Sequence, residues 1–124
     1  MSIAIGVGCR KGCPAGAIEA LVRQALTGVS DAPLGLFTLA DKRDEPGLAE
    51  AADRLDLSLT YLTREALRDR AGDIQTKSAR AESLFGVPSV AEAAALAGAG
   101  PGSVLIVARI AEGGATCAIA GTAP

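Results

Sequence analysis

Apolar positions along the chain follow two rhythms. Short continuous or alternating runs predict strands at Ile3 to Val7, Leu34 to Leu39, Leu57 to Leu62, Val104 to Ala108 and Ala115 to Ala120. Between them, apolar residues recur three and four apart. Ile18, Leu21, Val22, Ala25 and Leu26 form one such stripe, and Leu48, Ala51, Ala52 and Leu55 a second; each is the buried face of an amphipathic helix. Pro14 suits the first turn of the earlier helix, where a missing N–H has no partner to lose, and Gly28 suits its end. The second helix starts near Pro46. Thr63 is placed to cap a short helix over residues 64–68. Residues 69–78 are the least periodic, and Ala71-Gly72-Asp73 reads as a loop. Thr76, Lys77 and Ser78 read either as the start of a short helix ending at Gly86 or as a lid over a ligand. Ser89 and Glu92 have capping-box spacing ahead of an Ala-rich helix that ends near Gly98.

Strands alternating with helices predict an α/β fold of three layers, α/β/α, around a mixed, mostly parallel sheet of about five strands. The turn at Glu112-Gly113-Gly114 is short, so the last two strands are expected to close the chain as an antiparallel hairpin. The outer strand of that hairpin, Ala115 to Ala120, is expected at a sheet edge, where it could pair with a second copy of the chain. Residues 1–124 are read as one domain, with a frayed tail from Gly121 to Pro124.

Composition narrows the function. The net charge is −2 and aromatics make up 2% of the chain, so there is neither the basic field nor the stacking surface of a nucleic-acid binder. No apolar run reaches the roughly 20 residues that span a bilayer, and the amino-terminal segment lacks the form of a signal peptide. Zero histidines remove any imidazole base from this chain. Three cysteines, an odd number with no CxxC, point to reduced thiols and a cytoplasmic protein. The residues call for no metal and no cofactor.

Two glycine-containing charged segments follow strand ends and open helices: Gly6 to Pro14, and Ala40 to Gly47. Ligands in open α/β sheets favour that edge, and a helix N-terminus there attracts anions. Gly8, Cys9, Arg10, Lys11 and Gly12 are the candidate binding residues of the first segment. Asp41, Lys42, Arg43, Asp44 and Glu45 are those of the second, with Thr76 and Ser78 as further contacts. Turn glycines and solvated charges would give the same pattern without a ligand. The glycine spacing fits neither a dinucleotide fingerprint nor a P-loop. Cys9 is the candidate nucleophile, since an adjacent helix start with Arg10 and Lys11 would lower its pKa; filling a tight turn is the plainer role. Asp41, Asp44 and Glu45 are candidate acids and bases, and Asp44 or Glu45 could equally cap the second helix. Arg109 is a single cation whose direction the sequence leaves open. Cys117 reads as core.

Three motifs then resemble one family. Gly6-Val7-Gly8-Cys9-Arg10-Lys11-Gly12 is similar to the GxGCR(R/K)G opening of the CobE/CbiG C-terminal domain family of cobalamin biosynthesis. Lys42 to Leu48 is similar to its KxDEPGL, and Gly86 to Leu96 to its GVxSVxEAAAL. They occur in the family's order and cover nearly the whole chain. The chain departs at Cys13-Pro14, where a hydroxyl residue is usual, at Arg43, where a small residue is usual, and at Arg109, where lysine is usual.

The resemblance implies a part in building the corrin ring, in the stand-alone form that belongs to the aerobic route. It implies binding or carrying a late precorrin or hydrogenobyrinic-acid-type intermediate. Two alternatives stand beside it: a precorrin hydrolase or isomerase, and an accessory subunit of a corrin methyltransferase. The implied partners are a corrin with several carboxylates and other enzymes of the pathway, with a homo-oligomer as a further possibility. Arginine forks and helix N-termini suit such carboxylates. An Ala/Gly-rich floor would let a flat macrocycle approach the backbone. This reading expects Arg10 and Arg43 to share one rim.

Overall fold

The computed structural model describes residues 2–122. Strand β1 (Ile3–Cys9) lies at the centre and is buried along its whole length. Its larger residues Ile3, Ile5, Val7 and Cys9 face one side, where they join the core stripes of α1 (Ala15–Ala25) and α2 (Pro46–Leu55). Its small residues face the other side. There α5 (Val90–Ala99) lies so close that a Cβ on Gly6 would overlap the Ala91 carbonyl oxygen. Ala118 and Ala120 of β5 (Ala115–Gly121) continue that small-residue surface against Ala91, Ala95 and Leu96. The Ala/Gly-rich surface is thus a seat for α5 and not an open floor for a ligand.

The sheet order is β3-β2-β1-β5-β4, with β2 spanning Pro33–Leu39, β3 Leu59–Leu62 and β4 Val104–Glu112. β1 pairs in parallel with β2, and β2 with β3; β5 pairs antiparallel with both β1 and β4. Four strands therefore run one way and β5 alone opposes them. The expected three-layer architecture and closing hairpin are both present. The hairpin is tighter than expected, because Glu112 already pairs with Ala115. Gly113 and Gly114 alone turn the chain, at φ +64° and +86°, as a two-residue turn between twisted strands requires.

Two expectations fail. β5 is not the edge strand: it inserts between β1 and β4, and β4 takes the edge with Val104 and Ile106 exposed. Gly121 is buried and paired with Ile3, so the chain is ordered further than the expected tail; residues 123–124 lie outside the described residues.

Short helices α3 (Arg64–Arg68) and α4 (Ala79–Phe85) complete the α5 side. Thr63 caps α3 as expected, accepting from the Ala66 N–H at 3.1 Å. Arg70 closes the other end of α5: its guanidinium donates to the Leu96 and Gly100 carbonyls, each at 2.9 Å, and to Ser103 Oγ at 2.8 Å. Orphaned carbonyls at a helix end need such donors. Among the described residues, no helix is long and apolar enough to cross a membrane.

Candidate functional site

The carboxyl ends of β1, β2 and β4 meet at one edge of the sheet, beside the start of β5. The segment after β1 leads to α1 on one face while α5 covers the other, and crevices form where neighbouring connections diverge in this way. A cleft of about 770 Å³ opens at this edge. Its walls are Gly8 to Lys11, Lys42, the α4 segment, the first residues of α5, and the hairpin residues around Arg109 to Thr116.

Six of the sequence candidates line it: Gly8, Cys9, Arg10, Lys11, Lys42 and Ser78. Gly8 and Cys9 belong to β1 and not to a loop, because pairing with β5 runs in register as far as Cys9 and Ala115. Ser78 is the cap of α4, its hydroxyl accepting from the Ala81 N–H at 3.3 Å. Of Thr76 to Ser78, Ser78 is thus a helix start, and Thr76 and Lys77 lie in the segment before it.

The other candidates stand elsewhere. Gly12 turns at φ +76° and donates its N–H to Glu45 Oε1 at 2.7 Å, tying the two charged segments together. Glu45 occupies the cap position of α2 but makes no side-chain cap bond; its carboxylate is spent on Gly12. Asp44 is exposed in the preceding turn and does not cap the helix. Asp41 accepts from Arg64 Nε at 3.0 Å, and that bond holds its carboxyl below the ordinary range. Arg43 lies with its guanidinium 5.2 Å from the Tyr61 ring centre, outside the cleft. The Thr76 N–H donates to Glu92 at 2.9 Å. The two segments do share one rim, but the second contributes Lys42 in place of Arg43.

Two cleft cations come from segments the sequence left without a role or direction. Arg80 stands on α4 and Arg109 on β4. Arg109 follows from a break in the β4–β5 ladder between Val107 and Ile110, which frees its N–H. Glu92 takes that N–H at 2.8 Å. Glu92 is fully buried and also accepts from the N–H groups of Gln75 and Thr76, at 2.7 and 2.9 Å. The capping box is thus half realised: Ser89 Oγ accepts from the Glu92 N–H at 3.2 Å, while the Glu92 carboxylate pins the cleft's back wall. Burial alone would raise the Glu92 pKa, but its backbone N–H donors outweigh burial and hold it below the ordinary carboxylate value.

Two helix starts line the cleft, that of α4 through Ser78 and that of α5 through Ser89 and Val90. Those of α1 and α2 open instead into a separate depression of about 450 Å³ with Gly12, Pro14, Pro46 and Gly47.

The electrostatics of the cleft are one-sided. Arg10, Lys11, Lys42, Arg80 and Arg109 line it, with Glu112 as the sole acid. Among the described residues, none of those five cations is in an ion pair, whereas Arg23, Arg54, Arg64 and Arg70 all are. Cys9 does not gain the low pKa its sequence neighbours suggested. Burial pushes its thiol up to about 11, against a smaller opposing pull from Lys42. Cys13 is raised by burial too, and burial takes Cys117 to about 12. Among the described residues, no group of three or more Cys, Asp and Glu side chains gathers as a metal site would require.

Fold and cleft together define an open-sheet α/β domain with a cation-lined crevice at the carboxyl edge of the sheet. The chain belongs to the family described as cobalamin synthesis G C-terminus, whose profile matches residues 3–120. A protein named CobE from a Sinorhizobium species is 35% identical over 124 residues, covering 98% of this chain and 80% of that protein. The crystal structure of CobE, described as a protein from the cobalamin (vitamin B12) biosynthetic pathway, matches with a TM-score of 0.87 at 35% identity, covering 95% of this chain and 88% of that one. The cobalamin biosynthesis protein chiG of Agrobacterium tumefaciens str. C58 matches with a TM-score of 0.77 at 39% identity, covering 98% and 99%. These relatives place the chain's role in the cobalamin pathway.

Proposed function

We propose that the chain binds and carries a late precorrin or hydrogenobyrinic-acid-type intermediate of the aerobic route, seated in the cleft at the carboxyl edge of the sheet. The observation that supports this reading is the set of five cleft cations that have no ion-pair partner among the described residues, on a chain whose net charge is −2. Unpaired cations crowded into one concavity repel each other and favour an anionic guest. They come from four parts of the chain: Arg10 and Lys11 from the segment after β1, Lys42 from the turn after β2, Arg80 from α4 and Arg109 from β4. Val90, Ala111 and Ala115 also line the cleft. That pattern suits a ligand with an apolar body and carboxylates along its rim. A corrin acid carries its acetates and propionates in that way. The volume lies within the range of small-molecule clefts.

Binding is favoured over turnover by the state of the candidate catalytic groups. Asp41, Asp44 and Glu45 do not line the cleft, and a Cys9 thiol with a pKa near 11 stays protonated at neutral pH. The test is a titration of the purified chain with hydrogenobyrinic acid, followed by absorbance and by co-elution on gel filtration. A saturable spectral shift with co-elution supports the reading. No shift and no co-elution overturns it. Conversion of the compound by the isolated chain would favour the hydrolase or isomerase alternative.

A further inference from the structure

Lys42 lines the cleft with no ion-pair partner among the described residues, and its ammonium lies 4.7 Å from the centre of the Phe85 ring. This contact joins two walls that are far apart in sequence. Lys42 ends the 3₁₀ turn Ala40–Lys42 that follows β2, and Phe85 is the last residue of α4. α4 has seven residues and none of them is buried. A helix that short is not held by its own propensity. A lysine stem is equally free, and fixing it in one place costs side-chain entropy. The negative face of an aromatic ring holds a cation at this distance. Arg64 lies over the same ring at 5.9 Å, but its charge is committed to Asp41. Lys42 is therefore the cation on this ring with donors left for a ligand.

We infer that Phe85 is a positioning residue for Lys42: the ring holds the ammonium at the cleft, so that an incoming carboxylate meets a charge already in place. The inference rests on the reading of the cleft as a carboxylate-binding site. Preplacing the side chain removes an ordering cost that binding would otherwise carry. Phe85 acts through Lys42 in this account, and its effect on the ligand disappears when Lys42 is gone.

The test is a double-mutant cycle on the affinity for hydrogenobyrinic acid, using the wild type, Phe85→Leu, Lys42→Met and the double variant. Phe85→Leu is expected to weaken binding roughly five- to tenfold, the scale of one cation–π contact. Phe85→Tyr, which keeps the ring, is expected to bind within about twofold of the wild type. In the Lys42→Met background, Phe85→Leu is expected to change nothing further. Leucine keeps apolar volume against the cluster that includes Leu39, Leu67, Val87 and Val90, on which Phe85 packs, so the fold is expected to be retained. Equal weakening with and without Lys42 would mean that Phe85, which itself lines the cleft, acts on the ligand directly or on the fold, and would overturn the inference, as would an unchanged affinity in Phe85→Leu. A wild type that fails to bind overturns the reading of the cleft, and the inference falls with it.

Discussion

Replacing Glu92 by Gln isolates one buried charge that joins three parts of the chain. The Glu92 carboxylate is fully buried and accepts from the backbone N–H groups of Gln75, Thr76 and Arg109 at 2.7, 2.9 and 2.8 Å. Glutamine keeps the shape but offers one carbonyl oxygen. If that oxygen serves Gln75 and Thr76, the amide nitrogen faces the Arg109 N–H, donor against donor. A stranded buried donor costs about 1–3 kcal/mol, and each bond moved from a charged to a neutral acceptor loses about 0.5–1 kcal/mol. The sum is about 2–5 kcal/mol, a large share of the stability of a domain this size. Urea unfolding followed by far-ultraviolet circular dichroism measures it at pH 7. The pH dependence supplies a second check. The folded-state pKa of Glu92 lies below its unfolded value, so its contribution is full above about pH 4.5 and is lost as pH falls through the folded value. The gap between wild type and Glu92→Gln should narrow on acidification. A variant as stable as wild type at pH 7, or a gap that stays constant down to pH 3, would refute the reasoning.

Other outcomes follow from the same geometry. Gly6→Ala should destabilise by about 2–4 kcal/mol or prevent folding, since the added carbon overlaps the Ala91 carbonyl and lies 2.5 Å from the Ala95 nitrogen; an unchanged urea midpoint would contradict the close seat of α5. The Cys9 thiol, with its pKa near 11, should react with iodoacetamide far more slowly at pH 8 in the folded protein than after denaturation; equal rates would mean the thiol is not suppressed by burial. Arg109→Ala should weaken binding of hydrogenobyrinic acid roughly tenfold while Arg43→Ala leaves it within about twofold, because Arg109 lines the cleft and Arg43 rests on Tyr61; the reverse order would misplace the site.

Periodicity carried the strands and helices because it is local. The stripes of α1 and α2 and the caps at Thr63, Ser78 and Ser89 depend on residues a few positions apart. Sheet order is not local. Val104 to Val107 is the more hydrophobic run, yet it lies at the edge, while the small residues of β5 take the interior place because α5 needs a flat seat over Gly6. The candidate site was legible where a strand end and the residues just after it supplied it, at Gly8 to Lys11 and at Lys42. It was not legible where a distant segment decides the outcome. Glu92 has the spacing of a capping residue, and only the folded chain brings the 75–76 segment and the β4 irregularity to its carboxylate. The same irregularity places Arg109. Arg43 sits next to Lys42, yet Tyr61 on β3 draws it from the rim.

The central claim, that unpaired cations make this cleft a receptor for a polycarboxylate, is tested most directly by the salt dependence of hydrogenobyrinic acid affinity. Ion pairing with several carboxylates predicts a steep and linear fall in the logarithm of the association constant as the logarithm of salt concentration rises. An affinity indifferent to salt, with binding otherwise intact, would mean that the cations do not hold the ligand.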